Sequence, residues 1–327
     1  MKKYFLLFLV IALCSHDMFL KFDDYFLNAD SQATLQLFNG TFDKSDNVID
    51  RDRMLDASMV AHGRRIVIDS SQWYDKETTT FLDFKTGDPG TYVLGVSTAP
   101  RNIEMTADKF NDYLEHDGVV DMLLSRKRNN QLDQDVNEKY SKHVKTIFQV
   151  GDQLTNDWKT ELGYPIEFVP LENPYDLHAG HEMRVKLLLS GEPLANQLVL
   201  IGHEVMDKTH THDGSTHSHE DAEQGHTHEG QLELRTDSNG ILNFDITESG
   251  VWHLRTIHMT EVEDVELTHE SNWATLTFQI GDGHEHDDDS HSHDDAHSHE
   301  PEFPTTLFLI ISLLVVLGLF LFFKFKK

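Results

Sequence analysis

Thirteen of the 22 histidines fall in two short acidic stretches, and most of them recur as His-x-His. The first stretch holds His203, His210, His212, His217, His219, His226 and His228; the second holds His284, His286, His291, His293, His297 and His299. A neutral imidazole is the commonest protein ligand for zinc, nickel, cobalt and copper, and interleaved Asp and Glu add harder oxygen donors. Residues two apart on an extended backbone share a face, and two such pairs, or one pair with a carboxylate, complete four- to six-coordination. A flexible loop is ordered by the ion it catches. The expectation is therefore multiple, weak, fast-exchanging sites whose affinity falls as His protonates below about pH 6.5. The competing reading of the same composition is a solvated low-complexity spacer.

His16 is a different kind of donor. The chain starts Met1-Lys2-Lys3, continues with an apolar run to Cys14 and reaches Ser15-His16-Asp17. This reads as a secretory signal over residues 1–15, too short to span a bilayer. Cleavage after Ser15 leaves His16 with a free amine, which can chelate one ion together with the imidazole, and Asp17 can add an oxygen. A lipid anchor on Cys14 is the weaker reading, because the bulky Leu13 precedes it. Candidate completing ligands are His253 and His258. They lie five residues apart on one expected strand, so they face opposite sides: His258 with Trp252 and Leu254, His253 with Arg255 and Ile257. His62, His178, His181 and His269 are lesser candidates, and His143, between Lys142 and Lys145, is expected on the surface of a helix.

These donors need a scaffold and a compartment. Residues 303–323 form an apolar segment closed by lysines at 324–327, long enough at about 1.5 Å per residue to cross a membrane. The terminal lysines belong on the cytoplasmic side, which places everything before residue 303 outside the cytoplasm, anchored in the inner (plasma) membrane. The only cysteine, Cys14, leaves with the signal, so the exported part is expected to hold no disulfide. A formal net charge of −29 argues against nucleic acid as a partner and suits the attraction of cations.

Between these ends, short alternating stretches begin near residues 33, 65, 92, 183, 197, 231, 241, 251 and 273, separated by turn residues, and read as strands. Asp88-Pro-Gly-Thr-Tyr92 and Glu248-Ser-Gly-Val-Trp252 each place an acid, a glycine and an aromatic ring ahead of such a strand, the pattern of a tyrosine corner. The spacing of apolar residues predicts helices over 106–124 and 137–150. The expectation is a mainly β protein with two immunoglobulin-like or transthyretin-like sandwich domains and a helical segment between them. The boundaries are a domain at 16–105, helices and linker at 106–165, a domain at 166–281 carrying the His-rich loop 203–229, a tether at 282–302 and the membrane helix.

Several ordered motifs resemble a known family. They are His16-Asp-Met-Phe-Leu-Lys21, Pro89-Gly-Thr-Tyr-Val-Leu-Gly-Val-Ser97, Phe110-Asn-Asp-Tyr-Leu114, Tyr140-Ser-Lys-His-Val-Lys145, Ile166-Glu-Phe-Val-Pro-Leu-Glu-Asn-Pro174, Gly191-Glu-Pro-Leu194, Thr236-Asp-Ser-Asn-Gly240 and Gly250-Val-Trp-His-Leu254. Together they resemble domain-of-unknown-function family 4198, described as a periplasmic component of nickel or cobalt transport, over residues 16–281. The resemblance implies an exported β-rich protein associated with transition-metal uptake, with the mature N-terminal histidine as the position to carry over and His258 as a lesser one.

The resulting expectation is a non-enzymatic, membrane-tethered protein that collects nickel, cobalt, zinc or copper and passes it to a membrane transporter. Two other classes stay open: a copper- or zinc-dependent enzyme built on the His16 chelate, and a surface interaction protein with His-rich spacers. No Gly-x-Ser-x-Gly, His-Glu-x-x-His or phosphate-loop pattern favours the enzyme.

Overall fold

A computed structural model describes residues 16–205 and 231–282. The signal segment, most of both His-rich stretches and the apolar C-terminal segment lie outside the described residues. No helix among the described residues is long and apolar enough to cross a membrane.

The chain is mainly β. Its first half forms β1 (Asp17–Lys21), β2 (Phe26–Leu27), β3 (Gln32–Gly40), β4 (Met54–Ala61), β5 (Arg64–Val67), β6 (Trp73–Lys76), β7 (Thr79–Lys85), β8 (Gly90–Thr98) and β9 (Arg101–Met105). Two short helices follow, α1 (Ala107–His116) and α2 (Val120–Arg128), then β10 (Val136–Val150). The second half forms β11 (Ile166–Pro170), β12 (Glu182–Leu189), β13 (Glu192–Pro193), β14 (Leu198–Glu204), β15 (Leu232–Arg235), β16 (Ile241–Asp245), β17 (Gly250–Glu261) and β18 (His269–Ile280).

A central sheet runs β15-β14-β17-β18-β10-β8-β4-β5, with β2 and β9 also pairing with β10. Neighbours along that path are antiparallel except at β10 and β18, which pair in parallel. Strands from 16–105 and from 166–281 thus enter one sheet, joined through β10 of the 106–165 segment, whose pairing with β18 is the parallel seam. The described residues fall in one compact unit. The sheet is covered on both faces. Sheet β1-β3-β7-β6 packs on one face through Phe19, Leu37, Leu94 and Phe148; sheet β11-β12-β13 with β16 packs on the other through Phe168, Val185, Ile147 and Leu276. The helices join the β1 face, where Phe110, Tyr113 and Leu114 meet Ile257 and Trp273.

The helix expected over 137–150 is instead β10, the central strand of the seam. A strand buried on both faces loses the in-out alternation that marks a half-buried one, and short apolar runs then fit either period. Here Lys142, His143 and Lys145 are all interior, which hid the strand further. His143 is accordingly not a surface residue. It is 2% exposed, with Nδ1 2.9 Å from Ser97 Oγ and Nε2 3.1 Å from Ser141 Oγ, and burial pushes its pKa down to about 4. The helices over 106–124 are present, broken at Gly118, whose φ of +74° no ordinary residue adopts cheaply.

Both aromatic corners form. Tyr92 Oη donates to the Asp88 carbonyl at 2.7 Å, and Trp252 Nε1 donates to the Glu248 carbonyl at 3.2 Å, four residues back in each case. These bonds fix the entries to β8 and β17. Gly250 has φ +138°, and a Cβ there would lie 2.2 Å from the Glu204 carbonyl oxygen, so the second entry also requires glycine.

Candidate functional site

The position of β1 decides where His16 lies. Asp17 pairs with Gly40 on β3, and two hydroxyls from β18 hold the strand from below: Thr275 Oγ1 donates to Met18 O at 2.8 Å and Thr277 Oγ1 to Leu20 O at 2.6 Å. Lys142 of β10 donates through Nζ to the His16 carbonyl and, at 3.1 Å, to Asn39 Oδ1. The His16 imidazole then rests with Nδ1 3.5 Å from Asp46 Oδ2. Burial, and after it the charge of Lys142, holds the imidazole below its usual pKa, against the opposing pull of Asp46 and Asp17. A ring kept neutral is the form that binds a metal ion.

Asp17 does not join this pair. Its carboxylate turns to Arg255 on β17, with Oδ2 3.1 Å from Nε, and Arg255 also lies 3.0 Å from Asp117 Oδ1. The guanidinium is 3% exposed, so this is an interior ion network. A carboxylate committed to a buried arginine is a poor candidate ligand, and Asp46 takes the place that adjacency suggested for Asp17. Lys142, within the same charge network, is pushed down to about 8 by burial, partly countered by Asp17 and Asp117.

His253 and His258 do face opposite sides of β17, and neither meets His16. His253 lies on the β1 face, stacked on Phe42 with centroids 3.9 Å apart and edge-on to Phe19. Its ring covers Gly202, where a Cβ would come within 2.4 Å of it. It is 6% exposed, neither ring nitrogen has a hydrogen-bond partner among the described residues, and burial pushes its pKa down to about 3. His258 Nδ1 lies 3.0 Å from Gln197 Oε1. His253 is thus a packed interior histidine and His258 a half-buried, hydrogen-bonded one on the opposite face of the strand.

His203 stands at the root of the first His-rich loop. Its Nε2 lies 2.7 Å from Glu248 Oε1, and its ring stacks on Trp252 at 4.9 Å. The corner residue Glu248 thus serves twice, its carbonyl to Trp252 and its carboxylate to His203. The remaining candidates, from His210 to His228 and from His284 to His299, lie outside the described residues. Among the lesser candidates, His178 and His181 bring their rings to 3.8 Å across a surface turn, and His62 Nε2 lies 3.4 Å from the Asp88 carbonyl. Among the described residues, no three His, Cys, Asp or Glu side chains gather as a metal site.

Sequence reasoning missed Asp46, Asn39 and Lys142 around His16. Nothing in their spacing marks them, since they arrive from β3, the loop after it and β10. Glu248 was visible inside its corner motif but not as a partner for His203.

The family model for DUF4198, a domain of unknown function, matches residues 13–260. The chain belongs to the DUF4198 family. Its match begins just ahead of His16 and runs through both corners. No curated relative matches by sequence. Among solved structures, the D0-D1 domain of intimin is 14% identical, with a TM-score of 0.18, over 80% of this chain and 97% of that one. A trypsin-activated alpha-2-macroglobulin from Escherichia coli is 9% identical with a TM-score of 0.20, over 82% of this chain and 16% of its own. A DUF4785 family protein from Legionella pneumophila gives 9% and 0.20, over 72% of this chain and 51% of its own.

Proposed function

We propose that this DUF4198 protein is a membrane-tethered, extracytoplasmic collector of transition-metal ions, nickel or cobalt and alternatively zinc or copper, that hands its cargo to a membrane uptake system. The reading also takes 16–105 and 166–281 as two immunoglobulin-like or transthyretin-like sandwich domains sharing the central sheet, on the strength of the paired aromatic corners.

The observation that carries the functional reading is the fixed pose of His16. Its carbonyl is held by a buried lysine, its neighbour Asp17 by a buried arginine, and its imidazole is kept neutral beside Asp46. An imidazole nitrogen and a carboxylate oxygen are donors suited to a divalent transition ion, and the free amine of a cleaved chain adds a third. His203 and Glu248 place a second imidazole and carboxylate at the base of the loop. The His-rich stretches serve to gather ions and His16 to retain them.

Calorimetric titration of the mature chain with nickel, cobalt, zinc and copper, beside a variant lacking 206–229 and 283–300, separates the two roles. The expected result is one tight site that survives the deletion and several weak ones that do not. Binding that is unchanged by the deletion and also by His16→Ala removes both.

A further inference from the structure

A cavity of about 200 Å³ lies where the end of α2, the approach to β10 and the β17–β18 turn meet. Its wall includes Arg126, which is 1% exposed and pairs with no carboxylate among the described residues. Arg126 Nε donates to Asn111 Oδ1 at 3.1 Å, and Nη2 donates to the carbonyls of Gln131 and Gln134 at 2.7 and 2.8 Å. Nη1 has no partner among the described residues. A buried guanidinium without an anion is costly unless something supplies one.

Two acceptors in the same wall are also left over. Gln131 Oε1 is buried without a partner, and so is His269 Nε2, on a residue 4% exposed. Thr268 Oγ1 lies 3.1 Å from the Asn137 carbonyl and 2.9 Å from His269 Nδ1; with the hydroxyl proton directed to the carbonyl, Nδ1 carries the ring proton and Nε2 is a lone pair open to a donor. Glu261 and Asp264, also in the wall, add negative charge.

The inventory is therefore one buried cation with no carboxylate at ion-pair distance, one amide oxygen without a donor and one ring nitrogen without a partner among the described residues, with Glu261 and Asp264 in the wall. An anion alone satisfies only Arg126 and meets the carboxylates. A cation alone satisfies the acceptors and leaves the guanidinium unpaired. We propose that this cavity binds a small zwitterion of the α-amino acid class, its carboxylate on Arg126 and its ammonium toward Gln131, His269 and Glu261. The site is separate from His16 and does not depend on the metal-collecting role.

The test is calorimetry on the full-length chain, with EDTA present so that no amino acid–metal chelate forms. The probes are glycine and L-alanine, with acetate and methylammonium as the two half-ligands. The amino acids are expected to bind about tenfold or more tighter than either half, and Arg126→Gln to lose about tenfold or more in affinity. Because Arg126 also ties down the 131–134 loop, Gln131→Leu is the second variant. It removes one orphan acceptor while leaving the backbone carbonyl that Arg126 uses, and it should melt like the parent yet bind amino acids more weakly. The proposal is overturned by no heat from either amino acid up to about 10 mM. Half-ligands binding equally well, or ordered water alone on the orphan atoms in amino acid-soaked crystals, also overturn it.

Discussion

Strand β10 buries one lysine on each face of the central sheet, and the two are treated differently. Lys145, on the β11 face, meets Glu167 at 2.8 Å and two carbonyls, and Glu167 in turn accepts from the backbone nitrogens of Leu162 and Gly163. Lys142, on the β1 face, is as deeply buried yet has only carbonyl and amide oxygens as hydrogen-bond partners, one of them His16 O. The histidines repeat the contrast. His143, on the β11 face, finds partners for both ring nitrogens; His253, on the β1 face, finds none among the described residues. On the β11 face both of these groups are paired. On the β1 face Lys142 lacks a carboxylate and His253 a hydrogen-bond partner among the described residues, even though Arg255 beside them is paired with Asp17 and Asp117, an arrangement associated with binding more than with stability.

Substituting the two lysines tests this contrast most strongly. Lys145→Met leaves Glu167 buried without its cation and is expected to cost about 3–5 kcal/mol in urea unfolding. Lys142→Met should cost about 1–3 kcal/mol, because only neutral oxygens are stranded. Equal losses would erase the distinction between the faces. In Lys142→Met, NMR titration should also show His16 protonating at higher pH, since a cation that holds its pKa down is gone.

Metal affinity comes next in size. His16→Ala is expected to lose about tenfold or more for the tight site and His203→Ala less than about threefold, since His16 has its backbone held by Lys142 and pairs its imidazole with Asp46 and the chain's amine, while the His203 ring is already engaged by Glu248 and Trp252. The two kinds of site should part with pH as well. Binding by the stretches weakens below about pH 6.5, as their imidazoles protonate, while the His16 imidazole stays available further into acid and that site weakens first through protonation of the chain's amine, at about pH 8.

The two interior histidines give a smaller effect. Both have folded pKa values below the unfolded 6.5, so the unfolded chain takes up protons first and stability falls as pH drops from 6.5 toward about 4 for His143 and about 3 for His253. The slope is at most about 1.4 kcal/mol per pH unit for each group. His253→Phe, which keeps an aromatic ring between Phe42 and Phe19, should flatten this acid loss with little cost at pH 7. His143→Phe strands Ser97 and Ser141 and should cost about 1–3 kcal/mol. Melting curves at pH 7 and 5 distinguish the two.

The smallest effects are expected at the corners. Tyr92→Phe and Trp252→Phe each remove one hydrogen bond to a backbone carbonyl and should cost about 1 kcal/mol apiece. Trp252→Phe should cost somewhat more, since His203 also loses its stacking partner.

Much of the scaffold could be read from local pattern. The strands around residues 33 and 183 alternate, those around 92 and 251 are runs of β-branched and aromatic residues entered by the two corners, and both corners could be recognised from an acid, a glycine and a ring, because those features are set within a few residues. The opposite facing of His253 and His258 followed from parity alone. The 137–150 segment could not be read this way. Whether Lys142 and Lys145 are solvated or interior depends on β1 and β11, which lie more than a hundred and about twenty residues away. Periodicity records only what a strand's own sequence alternates, and a strand covered on both sides alternates nothing reliable.

The sequence by itself determined the donor types, the acidic charge, the β class and the two corner entries, since composition and short-range spacing are sufficient for each. Only the tertiary structure decided which carboxylate accompanies His16. Chain adjacency favoured Asp17, but Arg255, 238 residues further on, takes that carboxylate, and the loop after β3 brings Asp46 instead. The physical reason is that a buried guanidinium must be neutralised by whichever acid the fold places against it. That demand outranks closeness in the chain.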